Sequence, residues 1–117
     1  MNWNELTDIE QLETIKQESE KQPILIFKHS TRCSISSMAK NRLERAWNFD
    51  AEKVKPYYLD LIAFRNISNE IATLFGVEHQ SPQVLLIKGG DSVFDASHNL
   101  ISVADLEPNC WLIIAYK

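Results

Sequence analysis

The stretch ILIFKHSTRCSISSMA, residues 24–39, joins two kinds of pattern around one cysteine. Residues 24–27 (ILIF) form a short, wholly apolar, β-branched run, the signature of a strand buried on both faces. Beyond Cys33 the period changes. Ile35, Met38, Ala39, Leu43 and Ala46 fall on one helical stripe, with Lys40, Asn41, Arg42 and Glu44 off it. Cys33 is therefore expected at or next to the start of a helix that follows a buried strand. Three residues on, where a dithiol redox motif would carry its second sulfur, the chain has Ser36.

Upstream, Thr7 and Glu10 read as a T-x-x-E capping box. Leu6, Ile9, Leu12 and Ile15 then recur at helical spacing, which predicts a helix to about Glu20, with Pro23 barring continuation. Downstream, residues 54–61 (VKPYYLDL) predict a second strand. Pro56 cannot donate to a ladder, so this strand belongs at a sheet edge or pairs on one side only. Asn66 is a candidate cap for a third helix carrying Ile67, Ile71, Leu74 and Phe75, with Gly76 as a left-handed stop. Residues 83–88 and 92–96, joined by Gly89-Gly90, read as a hairpin with a primed turn. Ser102 is a candidate cap for a last helix reaching Tyr116, in which Pro108 implies a kink or a restart. The order α-β-α-β-α-β-β-α predicts an α/β fold with a four-stranded mixed sheet, helices on both faces and the second strand at an edge.

No repeat or linker interrupts the 117 residues, so one domain over residues 1–117 is expected. A net charge of −4 leaves no basic footprint for nucleic acid. The polar, acidic start MNWNELTDIEQ does not resemble a secretion signal. The longest apolar run, residues 110–116, is far short of the roughly 20 residues that span a bilayer. The expected compartment is the cytoplasm, with no membrane partner, and no oligomeric state is implied. Two cysteines, Cys33 and Cys110, make no disulfide framework and are expected to rest as thiols. Neither has the neighbours of a zinc knuckle, and His29, His79 and His98 match no compact metal spacing.

The thiolate is the form that attacks disulfides, and a helix N-terminus stabilises it through free N–H groups and a positive dipole end. Ser34, Ile35 and Ser36 are in register to offer those donors, with the Ser36 hydroxyl about one turn beyond the sulfur and Arg32 adding a cation. Ser36 cannot form a disulfide, which excludes resolution by a C-x-x-C partner. Cys110, beside Trp111 in an apolar segment, reads as core, and Trp3, Trp47 and Trp111 as packing residues. His29 reads as a structural histidine with a possible part in proton transfer.

Cys33 at a strand-to-helix turn, with Ser81-Pro82 leading into a terminal hairpin, resembles the thioredoxin-like three-layer fold. Within it, Phe27-Lys28-His29-Ser30, Thr31 to Ser36 (TRCSIS), Ser81-Pro82-Gln83 and Ser97-His98 are similar to the monothiol bacilliredoxins. These serve bacteria that use bacillithiol in place of glutathione. The resemblance implies a thiol–disulfide oxidoreductase in which Cys33 takes bacillithiol from S-bacillithiolated client proteins and a second small thiol regenerates it. Bacillithiol is then a cosubstrate, and no metal or organic cofactor is required. It also implies a cis Ser81–Pro82 bond facing Cys33. Ser36 would assist the thiolate, and Arg32, Ser34, Ile35, Ser81 and Pro82 would contact substrate. Lys28 and Arg65 are weaker candidates for its carboxylates. Ser34 departs from the family pattern, which has proline there, and the C-G-F-S of cluster-holding glutaredoxins is absent. Two alternatives stand beside this reading: a binding module with an inert Cys33, and the same chemistry with glutathione or coenzyme A.

Overall fold

A computed structural model describes residues 1–50 and 52–115, with side chains as far as Cys110. The elements are β1 (Asn4–Glu5), α1 (Gln11–Glu18), β2 (Ile24–His29), α2 (Ser34–Ala46), β3 (Lys55–Asp60), α3 (Arg65–Phe75), β4 (Gln83–Lys88), β5 (Asp91–Ser97), a 3₁₀ turn (His98–Leu100) and α4 (Val103–Ala115). The sheet runs β1-β3-β2-β4-β5. β1, β3 and β2 are parallel, β4 runs antiparallel to β2, and β5 returns antiparallel to β4 as the second arm of a hairpin. Among the described residues no helix is long and apolar enough to cross a membrane.

The sheet has five strands, not the four expected. β1 is only two residues long and carries no periodic signal; it exists because Asn4 and Glu5 pair with Tyr57 and Tyr58. β3 is therefore not an edge strand. Pro56 is tolerated because its carbonyl side faces β1, where it accepts from Asn4 Nδ2 at 3.1 Å, while β3 keeps its register with β2. The ladder asks for no donor at Pro56.

The helix ends differ locally from expectation. The first capping box lies one residue later than Thr7 and Glu10. Asp8 Oδ1 accepts from the Glu10 N–H, and Gln11 Oε1 accepts from the N–H groups of Thr7 and Asp8. Asn66 lies inside α3, whose N-cap is Phe64; Asp60 instead satisfies the preceding turn by accepting from Ile62 and Ala63. Gly76 (φ 65°) and Gly89-Gly90 (φ 62° and 82°) take the left-handed backbone that their turns require. Ser102 Oγ accepts from the Asp105 N–H, as a cap should. Pro108 lies inside a continuous α4, and Asn109 Nδ2 donates to the Asp105 carbonyl nearby. Tyr116 lies outside the described residues.

Alternation along β2 splits the core between the two sheet faces. Ile24 and Ile26 pack with Leu12, Ile15, Ile67 and Ile71 under α1 and α3. Leu25 and Phe27 pack with Ala39, Leu43, Leu106 and Cys110 under α2 and α4. The same alternation sends Lys28 toward α3 and His29 toward α2.

Candidate active site

Cys33 is the N-cap of α2, with extended backbone (φ −110°, ψ 122°) and no side-chain cap bond. The turn that delivers it closes with the Cys33 N–H donating to the Ser30 carbonyl at 3.2 Å. The Cys33 carbonyl accepts the first intrahelical bond, from Ser37, at 3.1 Å. The N–H groups of Ser34, Ile35 and Ser36 thus belong to the first helical turn, which has no intrahelical acceptor for them. They lie at the same helix start as the half-buried Cys33, with the exposed Arg32 next to it in the chain.

The Ser36 hydroxyl has a different partner from the sulfur expected. Ser36 is fully buried; its Oγ lies 2.6 Å from His29 Nδ1 and accepts from the Ser30 N–H at 3.0 Å. The hydroxyl has one proton, and among the described residues no acceptor other than His29 is bonded to it. The proton therefore goes to Nδ1, which leaves the His29 ring hydrogen on Nε2. Burial holds the His29 pKa below its ordinary value, with Lys40 adding to the effect, consistent with a neutral ring. Ser36 therefore fastens the 30–33 turn to β2, and the ring it holds stacks on Phe27 and lies 5.5 Å from Tyr58.

This anchor also rolls α2 by about one residue from its apolar stripe. Ser36, Ala39 and Leu43 face the core, whereas Ile35 and Met38 stay 53% and 60% exposed. Periodicity placed Ile35 and Met38 inside because a buried serine carries no apolar signal.

The Ser81–Pro82 bond is cis. Lys28 pairs with Gln83, so the next antiparallel step places Pro82 opposite His29, at the sheet end that carries the Cys33 turn. The preceding loop is held from inside. Gln83 Nε2 donates to the Glu78 carbonyl, and its Oε1 accepts from the Gln80 N–H. Lys28, fully buried, donates to the Ser68 carbonyl and lies 3.3 Å from His79 Nδ1. Burial pushes the Lys28 pKa down to about 8. Lys28 is thus a brace for the proline loop and has no surface to offer a ligand, while Arg65 is exposed at the start of α3.

Sequence reasoning missed Arg42, which it placed off the apolar stripe. Ser97 pairs with Gln83, His98 turns left-handed (φ 56°), and its N–H donates to the Pro82 carbonyl at 3.1 Å. Arg42 of α2 donates to the His98 carbonyl at 3.0 Å and to the Ile101 carbonyl at 3.4 Å. One guanidinium joins the cysteine helix to the turn that backs the cis-proline. Its only forecast in sequence was the Ser97-His98 pair, and only as part of a motif.

Cys110 is buried, and burial pushes its thiol up to about 11. It lies near Lys21, Pro23 and Lys88, at the end of the sheet opposite Cys33.

The profile of the monothiol bacilliredoxin (BrxC) family matches residues 4–106. A solved structure provisionally assigned as an oxidoreductase with a thioredoxin fold is 29% identical, with 90% of each chain covered and a TM-score of 0.74. The thioredoxin of Malassezia sympodialis is 16% identical over 95% of this chain and 90% of that one, with a TM-score of 0.70. The thioredoxin of Trypanosoma brucei brucei is 17% identical over 97% and 92%, also at 0.70. The last two speak to the fold alone. The family match runs from the first strand into the last helix, and this chain belongs to the monothiol bacilliredoxin family, built on the thioredoxin fold.

Proposed function

We propose that this protein is a one-thiol oxidoreductase that removes bacillithiol from S-bacillithiolated client proteins. The Cys33 thiolate attacks the bacillithiol sulfur of the mixed disulfide. A Cys33–bacillithiol S–S bond forms as the client–bacillithiol bond breaks, and the client leaves as a thiolate that takes a proton from solvent. A second bacillithiol, as thiolate, then attacks the adduct, releasing bacillithiol disulfide and the Cys33 thiolate. Each step exchanges one S–S bond for another, so no further electron carrier enters. Such exchange belongs in a reducing cytoplasm.

The observation that carries this reading is the isolation of Cys33 from any second thiol. Ser36 occupies the C-x-x-C position, and Cys110 lies beyond the far end of β4, whose five residue steps span about 17 Å. A disulfide needs Cα atoms within roughly 7 Å. Resolution therefore falls to an external thiol. The first-turn N–H groups of α2 receive the developing thiolate charge. Pro82 has no N–H and its carbonyl already accepts from His98, so backbone pairing with an extended ligand falls to Ser81.

Intact-mass spectrometry after mixing with bacillithiol disulfide tests this. The expected result is a single bacillithiol adduct that Cys33→Ala abolishes. No adduct, or an adduct on Cys110 alone, overturns the reading. Faster uptake from glutathione or coenzyme A disulfide reassigns the small thiol.

A further inference from the structure

We infer that the outer face of α2 is a docking surface for a client segment carrying apolar and acidic side chains around its modified cysteine. The inference rests on the exchange reading above and adds which clients that site selects.

Three large apolar side chains stand in solvent near the thiol: Ile35 (53% exposed), Met38 (60%) and Leu100 (72%). Ile35 and Met38 lie three residues apart and so share a face of α2, which Arg42 and Arg45 continue in steps of four and three residues. Leu100 belongs to the 3₁₀ turn that Arg42 binds to α2. The row therefore starts at the reactive cysteine and ends on basic side chains.

Charge follows the same line. Residues 31–46 carry Arg32, Lys40, Arg42 and Arg45 against Glu44 alone, a net +3 in a chain whose total is −4. Lys40 and Glu44 pair with each other at 2.9 Å. Arg32 and Arg45 are exposed, and neither meets an acid among the described residues. A protein acidic overall thus concentrates positive charge beside its thiol. Like charge would repel a basic segment there, and an acidic one would be steered in.

Spacing sets the pattern the segment should carry. Met38 lies about 7.5 Å and Arg45 about 18 Å along the helix from Cys33 at 1.5 Å per residue. An extended chain advances roughly 3.3 Å per residue, so the apolar side chain belongs about two positions from the client cysteine and the acid about five. Arg32 favours a further acid next to the cysteine.

The test uses two peptides, each bearing bacillithiol on one central cysteine. Both carry leucine two residues to either side. One has glutamate at the adjacent and fifth positions, the other lysine. At low salt the acidic peptide is expected to lose bacillithiol to the protein about 10-fold faster, and the ratio should shrink toward 1 at about 0.5 M salt as screening takes over. Arg45→Glu should lower the ratio at least severalfold. Met38→Glu should slow the acidic peptide and speed the lysine peptide, so that the ratio falls. Equal rates for the two peptides, or a ratio unmoved by both substitutions and by salt, overturn the docking surface. Reaction of the wild-type protein with bacillithiol disulfide alone separates the two readings. If that small disulfide reacts and the peptides do not differ, the docking surface fails and the exchange reading stands. If the small disulfide forms no adduct, the exchange reading has failed.

Discussion

Replacing Ser36 with alanine separates two roles for this hydroxyl, as thiolate donor or as structural fastener. Ser36 is fully buried and His29 is 4% exposed, so neither can exchange its lost partner for water. The substitution strands His29 Nδ1 and the Ser30 N–H together. A buried group left without its partner costs about 1–3 kcal/mol, and Ser30 is only half-buried, so the sum should be about 2–4 kcal/mol. That is a large share of a stability of order 5–15 kcal/mol, and at this size it lowers the melting temperature by roughly 10 °C. Urea denaturation followed by tryptophan fluorescence gives the free energy, and iodoacetamide labelling of Cys33 gives reactivity in the same samples. Ser36→Thr retains the hydroxyl and separates its loss from general disturbance of the site. A Ser36→Ala protein within about 0.5 kcal/mol of wild type, with labelling alone impaired, would refute the fastener and return the hydroxyl to the thiolate.

Lys28→Met should stabilise the protein at neutral pH. The folded-state pKa of Lys28 is lowered from 10.5 to about 8, a cost of about 3 kcal/mol while the lysine is charged below pH 8. Between pH 8 and 10.5 the unfolded chain holds the extra proton, so wild type should gain stability relative to Lys28→Met as pH rises, and paired denaturation curves check this. His29, whose folded-state pKa is also lowered, contributes stability that is complete above about 6.5 and lost as pH falls. His29→Asn keeps an acceptor near the Nδ1 position, and should flatten the decline of stability measured from pH 6.5 to 5. Arg42→Gln frees the His98 and Ile101 carbonyls, and should speed amide hydrogen exchange over residues 98–101 and slow uptake of bacillithiol by Cys33. Cys110→Ala should leave that uptake at the wild-type rate while lowering stability by about 1–2 kcal/mol, because the thiol is buried far from Cys33.

The backbone plan was written locally. A four-residue apolar run, a change from sheet to helix period at Cys33, paired glycines and Gly76 each act through the φ/ψ preference or burial of their own segment, and each element they imply is present. The cysteine at the head of α2 was legible for the same reason, and so was the cis-proline, through its motif. What the sequence could not place were groups whose partners are remote along the chain. β1 exists only because β3 offers it a ladder, which moved β3 from the edge of the sheet to its interior. Ser36 met His29, Lys28 met Ser68 and His79, and Arg42 met the turn after β5, across separations of 7 to 59 residues. Hydrophobic periodicity is silent on such contacts, since a satisfied buried polar side chain and a solvated one look alike in sequence. The roll of α2 follows from one of them: with Ser36 drawn into the core by His29, Ile35 and Met38 turn outward, and the face beside the thiol was decided by tertiary structure alone.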